Sequence, residues 1–312
     1  MTARMLRWLL LGQLFAVLVL ALAGARWLGV SPFMTVLPAA GAVLLVRLAI
    51  VANNFMMSRR YGSPVPARFA LGLRGRLRLF FGEFYATMVH SSWIMVRARA
   101  CVRIYPGDGA PPVLLLHGYG CNSGYWAHLQ PLLDARGISH AGLDLEPTLA
   151  GIDEFVPLVA RRVEELRAAT GAQRVILVAH SMGGLVGRAY LRAHGSGAVA
   201  RLITLGTPHH GTALAAFAPG RNAAQMCRSP RTGEESDWLR ALAASETPAM
   251  RALVTSLMTH HDNIIAPQTS SVLEGARTIE FGGVGHVAMG RDRAILSCVL
   301  DEIGKARAAV FV

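Results

Sequence analysis

A serine stands between a run of branched aliphatic residues and a pair of glycines in the stretch ILVAHSMGGLVGRAYL, residues 176–191. The aliphatic residues up to Val178 read as a fully buried strand, while Leu185, Arg188, Ala189 and Leu191 recur at helical spacing. Ser181 therefore falls at a strand–helix junction, where a tight turn pushes a serine hydroxyl out above the sheet and within reach of an acyl carbon. Such a turn needs small residues two positions to either side, because it brings backbone and helix close together. Gly183 is one of them, and Ala179, the next smallest residue, replaces the other glycine of the G-x-S-x-G pattern. His180 and Gly184 complete the turn.

A serine hydroxyl is a weak nucleophile until a base takes its proton and an acid orients that base. On a strand–turn–helix scaffold of this kind the three follow in the order serine, acid, histidine. His286 lies in FGGVGHVAMG, after the short apolar TIEF segment and inside a glycine-rich turn, whereas His209, His210, His260 and His261 come earlier. The acid must come from Asp237, Asp262 or a nearby glutamate. Asp262, in HHDNIIAPQTS, follows the apolar ALVTSLM run and suits a loop after a strand, while Asp237, in GEESDW, reads as a solvated helix start. The expected triad is Ser181, Asp262 and His286. Attack would create an oxyanion, for which backbone N–H groups are the usual partners. The expected donors are Met182, next to the nucleophile, and Tyr119, in the LLLHGYG loop that His117 and Gly118 shape.

These residues need a scaffold, and the chain after residue 100 provides one. Buried strands are expected near 100–104, at 113–116, 140–145, 174–179 and 201–206, alternating with helices across 153–169 and from Met182 onward. That alternation means an α/β fold with a mostly parallel sheet flanked by helices, whose sites lie at the carboxyl ends of the strands. Residues 212–247, with APGRN and RSPRTGEES, are the least regular and form the candidate cap or lid.

Residues 1–99 have a different character. The apolar stretches 8–25 and 27–46 are each long enough to cross a hydrocarbon core of about 30 Å. A membrane hairpin over residues 1–60 is expected, against the alternatives of a signal peptide followed by an anchor or an amphipathic surface lobe. Arg4, Arg7, Arg47, Arg59 and Arg60 flank the stretches and only Arg26 lies between them, which puts both ends on the cytoplasmic side of an inner membrane. Residues 61–99 form a basic connecting region, in which RFALGLRGRLRLFF either lies on an anionic leaflet or packs on the catalytic domain, 100–312.

The formal net charge of +12 arises in this first part: residues 1–105 carry 13 arginines against the single acid Glu83, and the rest is neutral. That distribution argues against a nucleic-acid partner. Four scattered cysteines without C-x-x-C spacing give neither a zinc site nor a disulfide framework, so no metal or cofactor is expected.

Taken together, HGYG, AHSMGG, TLGTPHHGT, HDNIIAPQ and GVGH occur in the order found in bacterial triacylglycerol lipases of the α/β-hydrolase superfamily, which residues 100–305 resemble. The resemblance implies an α/β-hydrolase fold and hydrolysis of lipid esters by Ser181, Asp262 and His286. The paired N-terminal apolar helices are a departure from it. The readings carried forward are a membrane-anchored lipase or esterase, an acyltransferase or thioesterase using the same triad, and a non-catalytic membrane interaction protein. Protein partners are not legible.

Overall fold

A computed structural model describes residues 1–107 and 109–309. Asp108, in the expected PGDGAPP turn, and the last three residues of the expected 100–312 domain lie outside the described residues. Two long helices open the chain, α1 (Thr2–Leu28) and α2 (Pro32–Arg60), followed by α3 (Leu73–Val89). Seven strands follow, from β1 (Val102–Arg103), β2 (Val113–Leu116) and β3 (His140–Leu143) to β4 (Val175–His180), β5 (Val199–Leu205), β6 (Val254–Thr259) and β7 (Arg277–Phe281). Helices α4 (Val156–Thr170), α5 (Met182–His194), α6 (Asp237–Ser245) and α7 (Arg293–Ala308) flank them.

The sheet order is β1-β3-β2-β4-β5-β6-β7, antiparallel only at the β1–β3 edge. β2 and β4 lie inside the sheet and are buried on both faces, which is why they read as continuous aliphatic runs rather than alternating ones. Their residues still divide by parity. Leu114, Leu116, Leu177 and Ala179 join Val159 and Val163 of α4 and Leu185 and Ala189 of α5 in one core. Val113, Leu115, Ile176 and Val178 face Ile295, Val299 and Ile303 of α7 in the other. Each such fully buried aliphatic side chain contributes about 1.5–3 kcal/mol relative to exposure. The chain thus has the α/β fold with a mostly parallel sheet flanked by helices expected from its alternation, with a shorter first strand than the 100–104 stretch suggested.

The N-terminal hairpin is built differently. Small residues, Ala21, Ala25 and Ala39, meet between α1 and α2, and Thr35 Oγ1 donates to the Ala21 carbonyl at 2.6 Å. The large side chains point away, with Trp8, Leu14, Phe15 and Leu18 on α1 and Phe33, Met34, Leu37 and Leu45 on α2 exposed. Only 11% and 17% of the most apolar windows of the two helices are buried.

Both ends of the hairpin meet the α/β domain. Thr2 at the start of α1 donates to Glu146 at 2.8 Å, and beyond the end of α2 the Ser63 N–H donates to Gln268 Oε1 at 2.8 Å. α3 starts at Leu73, later than the basic stretch at 68–81 suggested, and buries Leu79, Glu83 and Ala86, positions that share one helical face. It is followed by a π-helical turn, His90–Ile94, whose Ser91 and Ser92 hydroxyls accept from the Arg47 guanidinium.

Candidate active site

Ser181 links β4 to α5 at φ 54° and ψ −127°, the one positive-φ residue other than glycine among the described residues. A backbone so placed stores about 1–3 kcal/mol of strain and persists only where its surroundings impose it. Here the Ser181 N–H donates to Leu205 O at 2.8 Å, while its carbonyl accepts from the Thr207 hydroxyl at 2.9 Å and from Gly184 N–H at 3.0 Å. The neighbouring glycines are enforced by close approach. A Cβ on Gly183 would lie 2.7 Å from the carbonyl oxygens of both Leu116 and His117, and one on Gly118 would lie 2.8 Å from Ser181 Cβ.

Asp262 lies three residues past β6 and His286 five residues past β7, so both are delivered at the carboxyl end of the sheet, the end at which β4 delivers Ser181. His286 Nδ1 and Asp262 Oδ2 are 2.7 Å apart, and both side chains are buried. The other carboxylate oxygen accepts from the N–H groups of Ile264 (2.8 Å) and Ile265 (2.7 Å), which fixes the orientation of the carboxylate. With Nδ1–H donating to Asp262, Nε2 is the basic nitrogen of His286. Burial pulls the imidazole's pKa down, but the Asp262 charge and hydrogen bond, joined by the charge of Glu83, outweigh it and hold the pKa above the ordinary histidine value.

His117 and Gly118 follow β2 directly. His117 Nε2 accepts from Leu145 N–H at 2.9 Å and its Nδ1 donates to Gly118 O at 2.9 Å, so one neutral tautomer braces the loop that carries Tyr119. The Tyr119 hydroxyl donates to Pro219 O at 2.7 Å, tying this loop to the 212–247 segment. Met182 is the first residue of α5, and its N–H is among those a helix leaves without an internal acceptor. His180 stacks on Tyr125 with ring centroids 3.9 Å apart, and burial, then the charge of His286, drive its pKa well below the usual value. It is a neutral packing group whose Nε2 lies 3.3 Å from the His286 carbonyl. Asp237, the rival acid, begins α6, is exposed and pairs with Arg240.

Three further groups hold this centre, none of which the sequence places there. Gly206, directly after β5 at φ 54°, lets the acid and base meet: a Cβ there would lie 3.0 Å from Asp262 Oδ2 and 3.1 Å from His286 Nδ1. Its position in TLGTPHHGT was the available signal. Asn263 Oδ1 accepts the His286 N–H at 2.9 Å. Glu83, on α3, accepts the next two N–H groups, those of Val287 and Ala288.

Ser181 and His286 open onto a cavity of about 630 Å³, within the range of small-molecule sites. Its walls include Leu214, Phe217, Met226 and Ile265, together with Asn53, Asn54 and Met57 from the last turns of α2. The 212–247 segment thus contributes one wall and the N-terminal hairpin another. No cluster of three or more histidine, cysteine or acidic residues suited to a metal occurs among the described residues.

An apolar cleft, a serine on a strained strand–helix turn and a buried carboxylate–imidazole pair thus sit together at one end of a mostly parallel sheet, and comparison with known proteins gives this arrangement the α/β-hydrolase fold. Residues 111–220 match a family model described as the alpha/beta hydrolase fold. Among curated proteins the chain is similar to triacylglycerol lipases from Pseudarthrobacter phenanthrenivorans and Burkholderia plantarii, each 34% identical over 114 residues. Those matches cover 34% of this chain and 35% and 32% of the two lipases, so the chain spans about a third of their length. A triacylglycerol lipase from Pseudomonas fragi is 30% identical over 131 residues, 35% of this chain and 40% of that lipase. The fold is shared with the mature form of a Bacillus licheniformis lipase, at TM-score 0.56 and 18% identity over 66% of this chain and 97% of that one. It is shared also with a Paleococcus ferrophilus monoacylglycerol lipase, at TM-score 0.51 and 17% identity over 67% and 98%.

Proposed function

We propose that this chain is a membrane-anchored serine hydrolase that cleaves carboxylic esters of lipids. The observation that carries the reading is the buried His286–Asp262 pair at 2.7 Å beside a conformationally strained Ser181, all at one end of an apolar cavity. The similarity to triacylglycerol lipases supports the ester as the reacting bond.

In this reading Ser181 Oγ attacks the ester carbonyl carbon while His286 Nε2 takes its proton, and Asp262 stabilises the imidazolium so formed without itself becoming protonated. The carbonyl oxygen becomes an oxyanion that the Met182 and Tyr119 N–H groups receive. Collapse breaks the bond to the alcohol, which leaves with the proton returned by His286. Water, deprotonated by the same nitrogen, then attacks the acyl-enzyme and releases the carboxylic acid and free Ser181.

The hairpin gives this chemistry a location. Exposed apolar side chains between residues 8 and 46 suit lipid, and Arg47 marks the point where α2 leaves it. The turns of α2 beyond Arg47 carry Asn53, Asn54 and Met57 into the cavity wall. A lipid diffusing in the leaflet would reach Ser181 beside that helix, on the side where Arg4, Arg7, Arg59 and Arg60 gather, which the positive-inside rule makes cytoplasmic.

The test is hydrolysis of p-nitrophenyl esters of increasing chain length by the full-length, detergent-purified protein, beside a folded Ser181→Ala control. Turnover that depends on Ser181 and persists with long chains is expected. Turnover confined to short chains would contradict the lipid assignment; a serine-dependent preference for thioesters would replace ester hydrolysis with thioester hydrolysis, and a preference for acceptor alcohols over water would replace it with acyl transfer.

A further inference from the structure

Glu83 is the single acid among the first 105 residues, surrounded in sequence by 13 arginines, yet no arginine is its partner in an ion pair among the described residues. Its side chain is turned inward and is only 1% exposed. The two carboxylate oxygens are used separately: one accepts Val287 N–H and the other Ala288 N–H, both at 2.9 Å. These are the two peptide groups that follow His286.

The backbone of His286 itself is held by Asn263 Oδ1, and its ring by Asp262. Three consecutive N–H groups, at 286, 287 and 288, are therefore satisfied by two side chains from elsewhere in the chain rather than by regular secondary structure. A buried N–H deprived of its acceptor is costly, so the loop conformation that presents the imidazole depends on Glu83 remaining in place. The fit is close on the other side as well: a Cβ on Gly285 would lie 2.5 Å from Glu83 Oε2 and 2.7 Å from Cδ. Glu83 is in turn fixed by α3, which buries Leu79 and Ala86 on the same face and meets α2 through Phe80 and Phe55, ring centroids 5.8 Å apart.

We propose that Glu83 is a positioning residue for His286, so that the N-terminal region supplies part of the catalytic architecture in addition to an anchor. The inference rests on the hydrolase reading above. Glu83 acts through the backbone at 287 and 288 and through its charge on the imidazole. The charged and titratable groups around it are His286 and Asp262 on the catalytic loops, Tyr125 after β2, and Arg78, Tyr85, Arg291 and Asp292 around the cavity beneath it. Burial raises the pKa of the Glu83 carboxyl, with the two N–H donors and His286 opposing that rise.

The test uses the full-length protein with Glu83→Gln, Glu83→Asp and Glu83→Ala, each titrated for reactive Ser181 with a fluorophosphonate so that kcat refers to active sites. Glu83→Gln preserves shape but loses the charge and one of the two acceptors. It should lower kcat by about tenfold to a hundredfold, the scale of a small misplacement of catalytic groups, with a much smaller change in KM. Losing a negative charge near His286 lowers the imidazole pKa, so the acidic limb of the kcat/KM profile should move to lower pH. Glu83→Asp, which keeps the charge, should leave the limb near its wild-type position and recover part of kcat; Glu83→Ala should be the weakest of the three.

Wild-type kcat and an unmoved limb in Glu83→Gln, in a preparation whose turnover disappears with Ser181→Ala, would overturn the proposal alone. Turnover that survives Ser181→Ala would overturn the hydrolase reading instead. Failure of all three variants to fold would make Glu83 a folding determinant and would also overturn the positioning role.

Discussion

The chain has two regions that are both rich in large aliphatic residues and use them in opposite ways. In the α/β domain they are consumed internally: Leu114, Leu177 and Leu185 are completely buried between sheet and helices. In the hairpin the small residues meet, and the large ones, Leu14, Leu18 and Leu45 among them, face outward. The first arrangement is stable in water because burial removes apolar surface from it. The second leaves an apolar surface that water does not stabilise and lipid does. Under the proposed function the two arrangements carry different dependences: the chemistry on internal packing, and the location on an external solvent. The two meet where α2 lines the cavity at Met57 and α3 holds the loop after His286 at Glu83.

The largest effect expected in the inner region is chemical. Ser181→Ala should reduce turnover by about 10⁶-fold with no loss of folding, as in other serine triads, measured by ester hydrolysis together with thermal unfolding. Asp262→Asn should cost about 10⁴-fold, because the amide no longer holds the imidazole tautomer.

Packing gives the next contrast. Leu177→Ala in β4 should destabilise the protein by about 2–5 kcal/mol, while Leu18→Ala on the outer face of α1 should stay within about 0.5 kcal/mol, both by denaturation in detergent. Leu18→Arg should instead impair membrane insertion, at about 2.5–3.5 kcal/mol, visible as protein lost from the membrane fraction. Equal losses of stability from the two alanine variants would collapse the distinction between the regions.

The pH profile probes the buried pair. Imidazolium cannot accept the serine proton, and the pKa of His286 is held above its ordinary value by Asp262, so kcat/KM should fall as pH drops, with its midpoint above about 6.5. A midpoint below that value would mean that desolvation of the ring wins over the carboxylate.

The smallest effect lies where the regions meet. Met57→Trp should shift the ratio of long-chain to short-chain kcat/KM by about tenfold toward short esters, since a pocket discriminates on the scale of a methylene. An unchanged ratio would remove α2 from the substrate path.

Much of the inner region was legible because its signals are local. A strand, a turn of small residues and a helix are contiguous around Ser181, and Asp262 and His286 each follow an apolar run that ends in a loop. Glu83 could not be placed this way. Its partners are about 200 residues distant, and the sequence marked it only as an isolated acid in a basic stretch. The same limit applied to residues 68–81, for which a leaflet and a protein surface were equally suitable neighbours. The inward faces of Leu79 and Ala86 are set by the domain they meet. Gly206 and Asn263 were overlooked for a related reason: neither does chemistry, and their importance lies in the space or the acceptor they provide at His286 and Asp262.

The central claim, that Ser181 is a nucleophile activated by His286, is tested most directly by exposing the full-length protein in membranes to a fluorophosphonate and locating the adduct by mass spectrometry. The account predicts one adduct, on Ser181, strongly reduced in His286→Ala and absent from Ser181→Ala. Folded wild-type protein that remains unlabelled, or an adduct of equal yield in Ser181→Ala, would contradict it.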